Sequence, residues 1–195
     1  MNNRNYMLIG FCLTVLIQLI VPASMILSSE ETLGDGTEYR FKTVPVDPTD
    51  PFRGKYVTLR FVESSFMVDS TATWEDGDDA YVLLGTDLEG FATMQAISRD
   101  PWQNQSFIKV RIKKRYRETI IIRYPFERYY MEESKAGPAE RVYRDAMRDG
   151  HSMAYALVSV YEGNAVLKDV MIDDVPLTDL AETQIVKEKA KETDK

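Results

Sequence analysis

The chain has 195 residues, a formal net charge of −7, one histidine and one cysteine. The acidic balance excludes a general nucleic-acid binder, which needs a basic surface to displace counterions from phosphate. A single cysteine excludes an internal disulfide, and so few histidines and cysteines exclude an ordinary zinc site.

The first predicted element is the uncharged stretch 6–27, YMLIGFCLTVLIQLIVPASMIL. As a helix it reaches roughly 33 Å, at about 1.5 Å per residue, which is enough to cross the hydrocarbon core of a bilayer. Arg4 precedes the stretch, whereas Glu30 and Glu31 follow it, so the positive-inside rule keeps residues 1–5 in the cytoplasm. We therefore expect a single-pass protein of the cell inner membrane whose C-terminal domain lies outside the cytoplasm.

A cleaved signal peptide is the alternative to a retained transmembrane helix. Val21 and Ala23 have the spacing of a small-residue cleavage site. The apolar run continues past that site and is longer than the usual apolar region of a secretory signal, about 7 to 15 residues, which favours retention. Cys12 lies within the run, where we expect it to act as a small apolar side chain.

About 168 residues follow the span, which is the usual size of one domain. The polar stretch 28–38 contains two glycines and is predicted to be a linker. Eight short runs rich in β-branched and aromatic residues occupy most of 39–178 and predict a mainly β domain, either a barrel or a sandwich. The stretch 179–195 mixes opposite charges, so we expect a charged tail that is frayed helix or disordered.

Two antiparallel hairpins and one helix can be placed within this domain. The first hairpin is predicted to turn within 114–117 and the second within 162–164, where glycine takes positive φ without a steric penalty. Between them, 137–150 carries apolar residues at helical spacing and predicts one amphipathic helix, with Pro138 in its first turn.

The stretch DPTDPFRGKYVTLRF, residues 47–61, holds two Asp-Pro steps, a glycine and an alternating strand. Each proline fixes its own φ and biases the preceding Asp towards extended geometry. Asp47 and Asp50 can accept hydrogen bonds from nearby backbone groups, and Arg53 can pair with either carboxylate. We interpret the stretch as a structural corner; if it binds a ligand, these three residues and Tyr56 are the predicted binding residues.

This stretch resembles the motif of the GDYXXLXY family, small bacterial proteins with one N-terminal membrane span and an uncharacterised domain. Gly54, Tyr56 and Leu59 match the motif, whereas Lys55 replaces its Asp and Phe61 replaces its last Tyr. The later blocks RYYMEESKAGPAERVYR and ALVSVYEGNAVLKDVMIDD also match. The two departures remove a carboxylate and a hydroxyl, so they disfavour acid-base chemistry at the motif. The resemblance implies a polytopic membrane-protein partner, because such a protein is often encoded beside members of the family.

The first hairpin carries a cationic face. Lys109, Arg111 and Lys113 alternate with apolar residues, and further basic residues crowd the turn. We predict these three as binding residues for anionic lipid headgroups, a cell-wall polymer or an acidic partner. The alternative is an edge hairpin whose charges prevent aggregation between strands.

Two acidic groups and the histidine are weaker candidates. The acidic turn 74–81 does not follow the spacing of an EF-hand loop, so we expect no metal there. Glu132, Glu133 and Glu140 are candidates for a pair of carboxylates in acid-base chemistry, although favourable contact with a helix dipole also explains them. His151 follows the predicted helix and is interpreted as a residue of its exit.

These features favour a noncatalytic accessory or interaction module for a membrane-protein partner, without a cofactor. A carboxylate-dependent envelope hydrolase and a lipid-binding or small-ligand-binding β domain are the alternatives.

Overall fold

The computed structural model describes residues 3–44, 56–69, 73–149 and 152–193. Within these ranges a long N-terminal helix leads into a β-rich body, on which two further helices pack. The prediction of a mainly β domain with antiparallel hairpins is confirmed, and of the two architectures left open the structure shows a nearly closed barrel.

The elements follow one another in this order along the described chain. The helices are α1 (Asn3–Asp35), α2 (Glu133–Asp149) and α3 (Leu177–Thr193). The strands are β1 (Thr37–Lys42), β2 (Tyr56–Thr58), β3 (Ser65–Met67), β4 (Asp79–Thr86), β5 (Ala92–Ser98), β6 (Phe107–Tyr116), β7 (Thr119–Arg123), β8 (Arg128–Tyr130), β9 (Ala154–Tyr161), β10 (Asn164–Ile172) and β11 (Val175–Pro176).

Antiparallel sheets form the wall of the barrel. Their strand orders are β1-β9-β10-β11, β2-β8 and β3-β7-β6-β4-β5. The first and third sheets are joined by single bridges, Arg40 with Phe91 and Ile108 with Gly163. The bridges bring sheet edges together that would otherwise present unpaired backbone groups.

Four aromatic rings lie at the centre of the core. Phe41, Phe61, Tyr124 and Phe126 are each at most 4% exposed, and their ring centroids lie 5.0 to 5.8 Å apart. Aromatic pairs at this distance contribute about 0.5 to 1.5 kcal/mol beyond the area that they bury. Packing of these four rings therefore joins β1, which contains Phe41, to the segment around Phe61 and to the segment after β7, which contains Tyr124 and Phe126.

Both predicted hairpins form. β6 and β7 are joined by a turn at Arg117 and Glu118, and β9 and β10 by a turn at Glu162 and Gly163. The two residues of the second turn have φ of 45° and 85°, as a two-residue turn matched to strand twist requires. A Cβ on Gly163 would lie 2.6 Å from the ring of Phe107. Glycine is thus needed there for space as well as for conformation.

α1 continues past the apolar stretch, although a linker was predicted for 28–38. The helix extends to Asp35, and β1 starts at Thr37. The last turns pack on β9 and β10 and bury Thr32 completely. Tertiary packing of this kind outweighs the low helix propensity of a glycine such as Gly34.

α2 begins earlier than predicted. Its first residue is Glu133, and the backbone N–H groups of Lys135 and Ala136 both donate to the carbonyl oxygen of Glu132. The prediction that Pro138 lies in the first turn is therefore wrong, because the helix already has one closed turn before it. Pro138 therefore lies inside the helix, although it has no backbone N–H to donate to the carbonyl oxygen one turn earlier.

α3 covers most of the stretch that was expected to be a charged tail. Its first turns are anchored by Leu177 and Ala181, both fully buried. Ion pairs join it to α2, between Lys135 and Glu182 and between Arg141 and Glu188. Ion pairs between α3 and α2 explain why this segment is an ordered helix. The composition of 179–195 alone does not reveal these pairs.

Candidate functional site

Three of the predicted binding residues of the motif lie outside the described residues: Asp47, Asp50 and Arg53. Their role remains a prediction. The second half of the motif is described, and Val57, Leu59 and Phe61 are at most 3% exposed. These side chains fill the core, as the alternation of the strand predicts. The described half of the motif is therefore an element of the core.

Tyr56 is the motif residue that faces the surface. It pairs with Tyr130 across β2 and β8, with 5.3 Å between the ring centroids. The guanidinium carbon of Arg128 lies 5.0 Å from the centroid of the Tyr56 ring, and its Nη1 lies 3.4 Å from the hydroxyl of Tyr130. Two aromatic rings and one cation thus form a small, partly exposed cluster.

The cationic face of the first hairpin is partly neutralised by β4. The Nζ of Lys109 lies 2.8 Å from Oδ2 of Asp79, and the Nε of Arg111 lies 3.6 Å from Oδ1. The hydrogen bond from Lys109 holds the pKa of Asp79 below its usual value, and the same bond raises the pKa of Lys109. Lys109, Arg111 and Asp79 together therefore carry a net charge of +1.

A β-bulge widens the cationic face towards the turn. Ile112 pairs with Ile122 whereas Lys114 pairs with Ile121, so Lys113 is the additional residue. Lys113 and Lys114 are consecutive and both exposed, because a bulge interrupts the alternation of a strand.

The carboxylate of Glu127 lies near the bulge. Burial raises its pKa, while the charges of Arg123 and Lys113 oppose the rise. The Nε of Arg123 lies 3.9 Å from Oε2 of Glu127. This half-buried carboxylate is the described acid whose environment most clearly disfavours its charged form.

The acidic turn 74–81 uses its carboxylates within the fold. Oδ1 of Asp76 accepts a hydrogen bond from the backbone N–H of Arg115 at 3.2 Å, and Oδ2 of Asp78 accepts one from Arg99 at 3.2 Å. Among the residues that the structure describes, no group of three or more His, Cys, Asp or Glu is arranged to hold a metal ion.

The remaining acidic candidates are spread along α2. Glu132 and Glu133 are exposed at its start, and Glu132 accepts a hydrogen bond from Ser134 at 2.7 Å. Glu133 and Glu140 are two turns apart, about 10 Å along the helix axis. The helix itself does not bring them together as a catalytic pair, and His151 lies outside the described residues.

A cavity that was not predicted lies where α1 leaves the apolar stretch. Its volume is about 250 Å³, and it is lined by Ser28, Ser29, Thr32, Lys109, Pro125, Gly163, Asn164, Ala165 and Val166. The hydroxyl-bearing residues come from α1 and the lysine from β6. The sequence signal for this part of the lining is three hydroxyl residues, Ser28, Ser29 and Thr32, at helical spacing directly after the apolar stretch.

A close joint fixes the end of α1 to β9. The Oγ of Ser159 donates a hydrogen bond to the carbonyl oxygen of Thr32 at 2.6 Å, and the backbone N–H of Gly36 donates to the same oxygen at 3.2 Å. A Cβ on Gly36 would lie 2.2 Å from that oxygen and 2.4 Å from Ser159 Oγ. The chain therefore passes from helix to strand without a flexible connection.

Comparison with known proteins gives one relationship. A family model described as GDYXXLXY protein matches residues 18–170, from within the apolar stretch to within β10. No curated protein and no solved structure matches the chain significantly.

Proposed function

The chain belongs to the GDYXXLXY protein family, and on that premise we propose that it is a noncatalytic accessory module, anchored in the cell inner membrane, that contacts a polytopic membrane-protein partner. In this proposal α1 is the single membrane span, and the barrel lies outside the cytoplasm. The continuous helix and its closed joint to β9 carry the proposal.

The dimensions of α1 suit an anchor with a rigid extension. Its 33 residues reach about 50 Å, at 1.5 Å per residue. Residues 6–27 cover the hydrocarbon core, and 28–35 then extend about 12 Å beyond it. Because Ser159 and the backbone N–H of Gly36 both donate to the carbonyl oxygen of Thr32, the end of α1 is fixed to β9, and in this proposal the barrel is held at a set distance and orientation from the bilayer.

The polar side chains within the apolar stretch are compatible with a membrane environment. Thr14 donates to the carbonyl oxygen of Gly10 at 2.9 Å, and Ser24 donates to that of Val21 at 2.8 Å. A hydroxyl in hydrocarbon needs such a partner, since no water is available there. Their hydroxyl groups therefore impose little penalty on insertion.

The hairpin end of β6 and β7 is the surface best suited to contact a partner. Lys113, Lys114 and Arg117 are exposed there, on a protein that is acidic overall. A local cationic patch attracts acidic loops of a partner and orients the encounter, and this attraction weakens as salt is raised.

Crosslinking in intact membranes tests this proposal. A photo-reactive residue in place of Lys114 should capture one membrane protein reproducibly, whereas the same residue in place of the exposed Val186 on α3 should not. If the inserted chain gives equal crosslinking from both positions, or no crosslinked species from Lys114, the proposed contact is wrong.

A further inference from the structure

We propose that the cavity beside α1 binds the phosphate group of a membrane phospholipid headgroup. This inference rests on the proposed function in one respect, because it requires α1 to lie in the membrane. The cavity is separate from the hairpin end that is proposed to contact the partner.

The cavity lies at the depth of the headgroups. The apolar stretch of α1 ends at Leu27, and the lining residues of the helix run from Ser28 to Thr32, about 6 Å of helical rise. The headgroup layer on each side of a bilayer is of similar thickness, about 5 to 7 Å. When the apolar stretch spans the bilayer, the cavity opens among the headgroups.

Two of the groups that line the cavity can donate to an anion, Lys109 and Ser28, because the hydroxyls of Ser29 and Thr32 already donate to carbonyl oxygens within α1. Lys109 has three N–H groups, of which the contact with Asp79 occupies one. The amide Nδ2 of Asn164 lies 3.4 Å from Ser28 Oγ as a donor, so the hydroxyl proton of Ser28 can point elsewhere. The residues that line the cavity include a lysine and no carboxylate.

The neighbouring acidic groups limit the charge of the ligand. Glu162, Glu31 and Asp35 raise the pKa of Tyr161, which lies at the same hairpin turn. They do not line the cavity, but their charges disfavour additional negative charge nearby. This arrangement favours a single phosphate diester over a headgroup with several phosphates.

The size of the cavity also favours a headgroup. Its volume of about 250 Å³ is below the range of about 300 to 1,000 Å³ that is typical of pockets for whole drug-sized ligands. Met25, Ile26 and Leu27 present exposed apolar side chains on the adjacent turn of α1. A phospholipid can therefore place its phosphate in the cavity and leave its acyl chains along the helix.

Substitutions of Lys109 and Asp79 are expected to change lipid binding in opposite directions. The carboxylate positions the Nζ of Lys109 and at the same time offsets its charge. Lys109→Gln should therefore weaken binding of an anionic headgroup, whereas Asp79→Asn should strengthen it. A purely structural ion pair would respond to both changes in the same direction.

The test uses the full chain in nanodiscs that contain phosphatidylglycerol. After extraction into mild detergent, native mass spectrometry should show one phospholipid retained per chain. The retained fraction should fall several-fold in Lys109→Gln and rise in Asp79→Asn. Lys187→Gln is the matched control, because it removes the same charge from an exposed position on α3 that does not line the cavity, and it should leave retention unchanged.

Four results would contradict the inference. Insertion of the chain without a retained lipid, or equal loss in Lys109→Gln and Lys187→Gln, would overturn lipid binding alone. Displacement of the lipid by inorganic phosphate would assign the site to a soluble phosphate. Failure of the chain to insert would overturn the proposed anchor and this inference together, so the two are distinguished.

Discussion

The side-chain hydroxyl of Ser159 donates a 2.6 Å hydrogen bond to the carbonyl oxygen of Thr32, and both residues are fully buried. This bond connects the central strand β9 to the end of α1. A buried hydrogen bond of this kind contributes about 0.5 to 1.5 kcal/mol, and leaving one partner unsatisfied costs more. Movement of the helix is thereby coupled to movement of the barrel.

Adding one methyl group at Gly36, where α1 passes into β1, should destabilise the protein. Gly36→Ala places a Cβ 2.2 Å from a backbone oxygen, so the free energy of unfolding should fall by about 1 to 3 kcal/mol. Gly34→Ala is the matched control, because a Cβ there meets nothing within 4 Å and improves helix propensity by up to about 1 kcal/mol. Denaturant unfolding in detergent measures both, and equal stability of the two variants would contradict the closed joint.

Substitution of a buried residue in the described half of the motif should destabilise the protein as a core mutation does. Leu59 is 1% exposed, so Leu59→Ala should lower the free energy of unfolding by about 2 to 5 kcal/mol through lost burial and a new cavity. The adjacent Arg60 is exposed, and Arg60→Ala should change stability by no more than about 0.5 kcal/mol. A larger loss of stability in the Arg60 variant than in the Leu59 variant would show that this packing is wrong.

Glu127 should make stability depend on pH. Because burial raises its pKa, the folded state binds the proton more tightly than the unfolded state does. Its stabilising contribution is complete below the pKa of the unfolded chain and is lost as pH rises through the raised folded pKa. Glu127→Gln should therefore raise Tm at neutral pH, and the gain should shrink as the pH falls towards about 4, near the pKa of an unperturbed glutamate.

Thermal unfolding across this pH range measures the effect of Glu127. Glu118→Gln is the matched control, because it removes a carboxylate from the exposed turn between β6 and β7, and at neutral pH Tm should rise more in the Glu127 variant than in this one. A lower Tm of the Glu127 variant at neutral pH would mean that attraction to Arg123 and Lys113 outweighs burial.

The orientation of the chain can be tested with single cysteines. In a Cys12→Ala background, a cysteine in place of the fully exposed Leu88 should react with a membrane-impermeant thiol reagent once the outer barrier of the cell is opened. A cysteine in place of Asn5 should react only after the inner membrane is lysed. The reverse pattern would contradict the predicted topology, and absence of the N-terminal peptide from the mature chain would establish cleavage.

The sequence predicted the elements that depend on local signals. The turn at Glu162 and Gly163 and the strands on either side of it follow from turn chemistry and alternation, which need no knowledge of the rest of the chain. The burial of Val57, Leu59 and Phe61 follows from the same alternation. These features were correct because each is decided within a few residues.

Features that depend on distant contacts were missed. The extension of α1 depends on Thr32 and Ser159, which are 127 residues apart. The partial neutralisation of Lys109 depends on the register that places β4 beside β6, and no pattern within either strand specifies it. The cavity is lined by α1, β6 and the start of β10, so the hydroxyl residues of α1 alone could not have defined it.

The distance between α1 and the barrel tests the proposed rigid anchor most directly. Spin labels in place of Ile20 on α1 and Leu88 on the barrel, in a Cys12→Ala chain in nanodiscs, report this distance by pulsed electron paramagnetic resonance. We expect one narrow distance distribution, and insertion of a Gly-Ser linker between Asp35 and Gly36 should broaden it markedly. A distribution that is equally broad with and without the inserted linker would contradict a rigid connection between α1 and the barrel.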